Sequence, residues 1–351
     1  MDDVRKTLIA VLASHDSVGK NNELAGLFNE LYRNHKEILD NFHFLFTGGT
    51  FGRIVRGKDT HRPPRRDLQM IKKPARDFIK SNATILPDRK EGGITILANL
   101  IVQRQCSIVW PFLSPITTHW LNPENLALMR LCDLWNVKRL MNAESVRACF
   151  RDEIERAMRR NPQVIPLKIT LGTPETEEGL TLPPWPRAEK PRYNQKYYEV
   201  RLPDRARHPP EFWGQFERQT IALIAHDAMK DRMVDFAIEY ENELCKFGRI
   251  LATGTTGRDV ENACRNLREL KKVRRCLSGP KGGDIEIATE ILFGRCHVVV
   301  FFIDPLHPHA HMDDIRVVFA ACMAEIPNND VRMLTHEVQA REWIEGAVRL
   351  R

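Results

Sequence analysis

The sequence predicts an α/β protein: two tandem doubly wound parallel-sheet domains of Rossmann-like build, joined by a Pro-rich linker. Three observations predict it. Four pairs of segments recur in the same order in the two halves of the 351-residue chain. In each half, apolar runs of strand length alternate with stretches of helical periodicity. Between the halves lies a segment rich in Pro, Gly and charge.

The repeat is read by laying the halves side by side. "TLIAVLASHD" (7–16) parallels "TIALIAHD" (220–227). "FLFTGGTFGR" (44–53) parallels "ILATGTTGR" (250–258). "LPDRKEGGI" (86–94) parallels "LSGPKGGD" (277–284), and "SIVWPFLSPI" (107–116) parallels "HVVVFFIDPL" (297–306).

In the second half, "IALIA" is a strand that ends at His226. A helix follows, with Met229, Met233, Phe236, Ala237, Tyr240 and Leu244 recurring at three- and four-residue steps. "RILATG" is the next strand, "GRDVENACRNLREL" a helix and "RRCLSG" a short strand. "GGDIEIATEILFGR" opens a further helix, and "CHVVVFFID" and "VRMLT" are the last strands. Strands separated by helices require crossover connections and hence parallel pairing. The first half follows the same plan and closes on "LWNVKRLMNAESVRACF" (134–150) as its last strand and helix. The stretch "TLGTPETEEGLTLPPWPRAEKPRYNQ" breaks both periodicities, with a short hairpin expected around "YYEVRLP". The expected boundaries are 1–155 for the first domain, 156–216 for the linker and 217–351 for the second domain.

Composition narrows the class. No apolar run approaches the ~20 residues that span a bilayer. The run Val298 to Ile303 has the length and β-branching of a buried strand. The N-terminal segment lacks the order of a signal peptide, so a cytoplasmic protein without membrane association is expected. The eight cysteines are scattered without a C-x-x-C spacing, which reads as reduced thiols rather than a disulfide or zinc framework. The net charge of +7 is concentrated: segment 55–80 holds nine Lys or Arg against three Asp. That pattern argues against a nucleic-acid footprint over the whole protein and leaves one basic segment. It is either a solvated face or a contact for an anionic partner.

In open parallel sheets, ligands bind outside the carboxyl ends of the strands. Those ends carry chemistry in the second half. Strand one is followed by His226, Asp227 and Lys230; strand two by Thr253, Gly254, Thr255 and Thr256. Strand three is followed by Ser278, Gly279 and, after the Gly-Gly pair, Asp284; strand four by Asp304, His311 and Asp314. "TGTTG" and "SGPKGGD" both suit a phosphate, because glycines let backbone N–H groups approach an anion and hydroxyls donate to it. A lone Asp284 reads equally as a helix-start acid favoured by the macrodipole or as a general base facing a ligand. "DPLHPHAHMDD" holds three histidines at alternate positions, but its prolines make it an irregular loop without cysteine. Proton transfer is preferred there, and no metal or cofactor is expected.

"AHDAMK", "ATGTTG", "LSGPKGGD" and "FFIDPL" with the following His311 and Asp314 resemble the successive motifs of the methylglyoxal synthase family, over about residues 219–345. The resemblance implies conversion of dihydroxyacetone phosphate to methylglyoxal and phosphate, without metal or cofactor. It implies Asp284 as catalytic base and His311 as the histidine moving protons at the enediol oxygens. His226, Lys230, Thr253, Gly254, Thr255, Thr256, Ser278 and Gly279 would be the substrate and phosphate contacts, and Asp227, Asp304 and Asp314 supporting carboxylates. A homo-oligomer is implied as well. Ala310 stands where the family has a proline before the loop histidine.

The first half resembles the family with erosion. His15 and Asp16 remain and Lys20 is displaced, while "TGGTFG" carries one residue more than "TGTTG". Ile94 stands at the base position, Ser114 at the strand-four aspartate and Leu121 at the loop histidine, with His119 two residues early. This half is therefore expected to fold without performing the family reaction, as a structural or ligand-sensing copy in which "SHD" and "TGGTFG" could still hold a phosphate. The rival to an enzyme is a regulatory protein that binds a nucleotide or phosphorylated metabolite without turnover.

Overall fold

The computed structural model describes residues 7–14, 18–56, 69–113, 122–160, 198–199, 205, 208–304, 312–324, 326 and 328–349. Two compact units are formed: Met1–Arg89 with Ile96–Arg201, and Lys90–Thr95 with Leu202–Arg351.

In the first unit, β1 (Thr7–Ala13) leads to α1 (Val18–Leu39), which is kinked at His35, and then to β2 (Phe42–Thr47). Helix α2 (Gly48–Phe51) runs directly into a π-turn, Gly52–Arg56. Then come α3 (Lys73–Ser81), β3 (Ala83–Leu86), a short 3-10 turn and α4 (Gly93–Val102). The unit continues through β4 (Ile108–Phe112), α5 (Pro123–Leu134), β5 (Lys138–Arg139), α6 (Ala143–Arg160) and β6 (Tyr198–Glu199). Helix α3 shows how the basic segment is used where it is described. Ala75, Phe78 and Ile79 are buried, while Lys72 and Lys73 are exposed. Residues 57–68, with Arg65 and Arg66, lie outside the described residues.

The second unit repeats the plan. β7 (Thr220–Ala225) leads through a 3-10 turn to α7 (Lys230–Glu239) and α8 (Glu241–Leu244), then β8 (Arg249–Ala252). Next come α9 (Gly254–Ala263), α10 (Arg265–Glu269), β9 (Val273–Arg275) and a second 3-10 turn, Gly279–Lys281. α11 (Gly283–Leu292), β10 (Val298–Phe302), α12 (Met312–Cys322), β11 (Arg332–Leu334) and α13 (Glu337–Arg349) complete it.

The sheets are β5-β4-β1-β2-β3-β6 and β11-β10-β7-β8-β9, and every pairing is parallel. Apart from β6, the two strand orders are the same. The switch of direction on either side of β1 and β7 places the ligand-binding end of each sheet at the carboxyl ends of its strands. Equivalent core positions differ in volume. The first sheet presents Phe44, Phe46, Ile108 and Trp110 to its core, where the second presents Ile250, Ala252, Val298 and Val300. Trp110 packs on Phe28, Phe44 and Phe150, so these sheet positions are aromatic in the first core and aliphatic in the second.

The linker differs from expectation where it is described. Of the segment expected as a hairpin, Tyr198 and Glu199 pair in parallel with Thr84 and Ile85 as a sixth strand of the first sheet, and its other residues lie outside the described ones. At the far end, residues assigned to the linker pack on the second unit. Arg205 donates to the carbonyl oxygens of Ile291 and Leu292 in the last turn of α11. His208 stacks on Phe212 at 3.8 Å, Arg332 lies 4.2 Å over Trp213, and Phe216 stacks on Phe247 at 4.6 Å. Helix termini leave carbonyls without intrahelical partners; Arg205 donates to that of Leu292 and adds a second donor to that of Ile291, which also accepts Gly294 N–H (2.9 Å). Residues 161–197, the Pro-rich stretch itself, lie outside the described residues. All eight cysteines are free thiols.

Candidate functional site

Four strand ends of the second sheet converge, each through a local structure its sequence dictates. At the end of β7, His226 is buried; its N–H donates to Phe302 O (3.0 Å), continuing the ladder one residue past the strand. Asp304 N–H donates to His226 Nδ1 (2.8 Å). An Nδ1 that accepts carries no proton, so the ring proton sits on Nε2 and the imidazole is neutral. Two strand ends are thereby tied through one side chain. Lys230 begins α7 and its Nζ lies 2.5 Å from Asp227 Oδ1, a pair in which the carboxylate is largely exposed. Such a surface pair contributes ~0–1 kcal/mol and yields readily to a competing anion.

At the end of β8, Thr253 precedes the first turn of α9. Its hydroxyl donates to Thr256 Oγ1 (3.2 Å), and both threonines are buried. Gly254 N–H donates to Leu277 O (2.9 Å), which joins this turn to the one after β9. A Cβ on Gly254 would lie 2.9 Å from Ser278 N, so only glycine permits that approach. Ser278 and Gly279 are partly exposed. Gly282 then turns the chain at φ +107°, and Gly283 packs so closely that a Cβ would meet Leu277 O at 1.9 Å. The Gly-Gly pair is therefore a steric requirement of the turn.

Asp284 stands in the first turn of α11 and is 1% exposed; Asp314 stands in the first turn of α12 and is fully buried. The two helices pack along each other. Of the residues singled out from the sequence, Asp227, His226, Lys230, Thr253, Gly254, Thr255, Thr256, Ser278, Gly279, Asp284, Asp304 and Asp314 all fall at strand ends or the following first helical turns. His311 lies outside the described residues, as do His15, Asp16, Ser114, His119 and Leu121. Among the described residues no group of three or more His, Cys, Asp or Glu is placed to hold a metal.

Two buried carboxylates were missed by sequence reasoning. Glu286 accepts Leu277 N–H on Oε2 at 2.6 Å, so α11 holds the turn that carries Ser278. Burial pushes its carboxyl above the usual range, against the Leu277 N–H and the Arg274 charge. Glu290 lies under three guanidinium groups. Arg295 is bidentate (2.7 and 3.0 Å), Arg249 is at 3.0 Å and Arg274 at 3.5 Å. Burial opposes its ionisation, but the Arg295 hydrogen bond and the charges of Arg295, Arg274 and Arg249 win and hold the carboxyl below its usual value. Both acids follow Asp284 at even steps on a helix that is, Thr289 apart, otherwise apolar, the one sequence signal that could have found them.

Glu286 holds the turn that carries Ser278 in place. Glu286→Leu is expected to raise the KM for a phosphorylated substrate at least about fivefold with kcat little changed. The Leu277 N–H it leaves buried costs ~1–3 kcal/mol. Glu286→Gln retains an acceptor oxygen and should behave nearly as wild type; steady-state kinetics on both variants separates positioning from simple loss of stability.

The first unit aligns through its register. Ser14 N–H donates to Phe112 O (3.1 Å), the bond that His226 makes with Phe302. Ser14, rather than His15, is thus at the position of His226. Lys20 pairs with Glu23 at 2.8 Å within α1. Counting from Gly92 (φ +86°) as from Gly282, Ile94 falls on Asp284, Ile96 on Glu286 and Leu100 on Glu290.

No family model matches the chain. It is 47% identical over 102 residues to a methylglyoxal synthase from Brucella anthropi, covering 29% of this chain and 78% of that protein. A methylglyoxal synthase from Brucella ovis is 45% identical over the same span and coverage. A crystal structure of methylglyoxal synthase from Elizabethkingia anophelis is 32% identical, over 36% of this chain and 78% of that one, with a TM-score of 0.31. Identity near one residue in two, sustained over more than three-quarters of the Brucella proteins, means that the chain belongs to the methylglyoxal synthase family.

Proposed function

We propose that the chain is a methylglyoxal synthase-type carbon–oxygen lyase whose active site lies in the second domain and whose substrate is dihydroxyacetone phosphate. One observation carries this reading. Asp284 and Asp314 are buried in the first turns of two packed helices, at the same sheet end as the Thr253–Thr256 and Ser278–Gly279 turns. A buried carboxylate beside phosphate-sized turns suits abstraction of a proton alpha to a carbonyl. Asp284 takes that proton from the hydroxyl-bearing carbon and an enediolate forms. Backbone and hydroxyl donors of the two turns, with Lys230, hold the phosphate while its bond to carbon breaks. The Nε2–H of neutral His226 is a fixed donor for negative charge on a substrate oxygen, the kind of preorganised group that favours the transition state over the ground state. His311, Asp304 and Asp314 complete the set as proton carrier and supports.

The assay is methylglyoxal formation from dihydroxyacetone phosphate by the purified full chain. Product formation lost on Asp284→Asn supports the lyase. Phosphate binding with no product supports the sensor reading. In the same proposal the chain is a cytoplasmic homo-oligomer, and segment 55–80 meets an anionic partner through its exposed lysines. Lys72→Glu with Lys73→Glu should then weaken that contact in a salt-dependent way. Light scattering and retention on an anionic matrix, run beside wild type, check both; unchanged retention leaves α3 as a solvated face.

A further inference from the structure

The first domain's strand-end pocket is built from groups that the second domain does not use. Four residues before the positive-φ glycine, where the second domain has Ser278, the first has Asp88. The surrounding frame is otherwise the same. Gly48 N–H points to Pro87 O (3.5 Å) as Gly254 N–H does to Leu277 O, and Thr47 and Thr50 hydroxyls meet at 2.9 Å as Thr253 and Thr256 do. Into this frame Asp88 projects its carboxylate. A Cβ on Gly48 would lie 2.6 Å from Asp88 Oδ1, and one on Gly49 would lie 3.4 Å from the same oxygen.

A guanidinium comes to meet it. A Cβ on Gly49 would also lie 3.2 Å from Arg53 Nη1, so Arg53 and Asp88 converge on one point above this turn. Arg53 is 5% exposed. Its Nη2 donates to Ala13 O at the end of β1 (3.1 Å) and its Nε to Asn21 Oδ1 (3.3 Å), while Asn21 Nδ2 donates to Ser14 O (2.9 Å). The matching arginine of the second domain, Arg258, is exposed and pairs with its neighbour Asp259. The difference has a sequence cause. "TGGTFGR" is one residue longer than "TGTTGR", and the extra residue is taken up by the π-turn Gly52–Arg56. A π-turn closes i→i+5 bonds and so holds one residue more than an α-turn. That residue advances the helix by about 100°, enough to carry an outward arginine inward.

We propose that the first domain's pocket is filled from within: Asp88 stands in for the anionic group of a ligand and Arg53, turned in by the π-turn, supplies its counter-charge. The domain therefore takes no phosphorylated ligand. A dianion would have to displace a carboxylate that already stands beside a buried guanidinium, and like charges at such a site repel strongly. The sequence-based expectation that "TGGTFG" still holds a phosphate is replaced by that of a closed pocket, which makes the domain structural rather than sensing. This inference does not depend on the lyase proposal for the second domain.

The test is a titration of the full chain with inorganic phosphate by calorimetry, read as sites per chain. Asp88→Ser and Asp88→Asn should each add one phosphate site relative to wild type, whether wild type binds one phosphate in the second domain or none. Adding Arg53→Met to either variant should remove the new site. If Asp88→Ser fails to fold, the near-isosteric Asp88→Asn decides. Two phosphate sites in wild type, or no added site in a folded Asp88→Asn chain, would overturn the proposal.

Discussion

Asp284→Asn is expected to lower methylglyoxal formation by at least about 100-fold, the lower bound of what a general base supplies, while phosphate binding persists. The amide has the shape of the carboxylate but cannot accept the alpha proton. The proposed phosphate donors are on other elements: the turn after β8 and the turn after β9. Turnover and phosphate binding should therefore separate in one variant. Ile94→Asp placed in the same chain should not restore product. At the matching positions the first domain has Ser14 for His226 and Asp88 for Ser278. A loss of only a few-fold on Asp284→Asn would remove Asp284 from the role of base.

Glu290→Ala should destabilise the second domain by about 3 kcal/mol, the lower end for breaking a buried pair, because its arginine partners remain partly hydrated. Glu290 itself is 4% exposed. Its loss would leave Arg249, Arg274 and Arg295 facing one another around an uncompensated space. The denaturant midpoint measures this. The effect also has a pH signature. Burial raises the Glu290 carboxyl, but Arg295, Arg274 and Arg249 bring it below its ordinary value of 4.5. A carboxyl lowered in the folded state contributes stability that is fully present above its unfolded pKa and is lost as pH falls through the folded one. Wild type should weaken below about pH 4.5, and Glu290→Ala should show a flatter profile there. The first domain shows the alternative solution at the same place. Leu100 replaces the acid, and where Arg249 and Arg274 stand, His43 and Thr84 share a 2.8 Å hydrogen bond. Exchanging a buried ionic cluster for apolar packing is a change that folds tolerate well when it is complete.

The sheets were legible because each strand is a short apolar run bounded by turn residues, and because the repeat doubled every signal. "IALIA", "RILATG" and "CHVVVFFID" became β7, β8 and β10. "GRDVENACRNLREL" reads as one helix but divides at Cys264, whose extended backbone separates α9 from α10. Most of the candidate site was legible too, since ligand groups in such sheets must sit at strand ends. Three things were not. Tyr198–Glu199 is too short to announce itself as a strand, and its partner is over a hundred residues away. Glu286 and Glu290 look like surface acids until the helix is packed. The inward turn of Arg53 depends on where the helix absorbs one extra residue, and a motif match counts that residue without saying which side chain it rotates.

The pairing of β6 with β3 bears on how each domain avoids joining a neighbour edge to edge. An exposed edge strand offers unpaired N–H and C=O groups as a template for other chains. In the first sheet the outer side of "ATIL" is covered at Thr84 and Ile85 by two residues contributed from beyond residue 197. In the second sheet β9 is the terminal strand, and it carries Arg274 and Arg275, whose charges discourage an incoming strand. One domain shields its border with backbone and the other with guanidinium groups. A fragment cut at residue 155 would keep the whole first sheet except that shield, and would present an apolar strand bare to every other copy in solution.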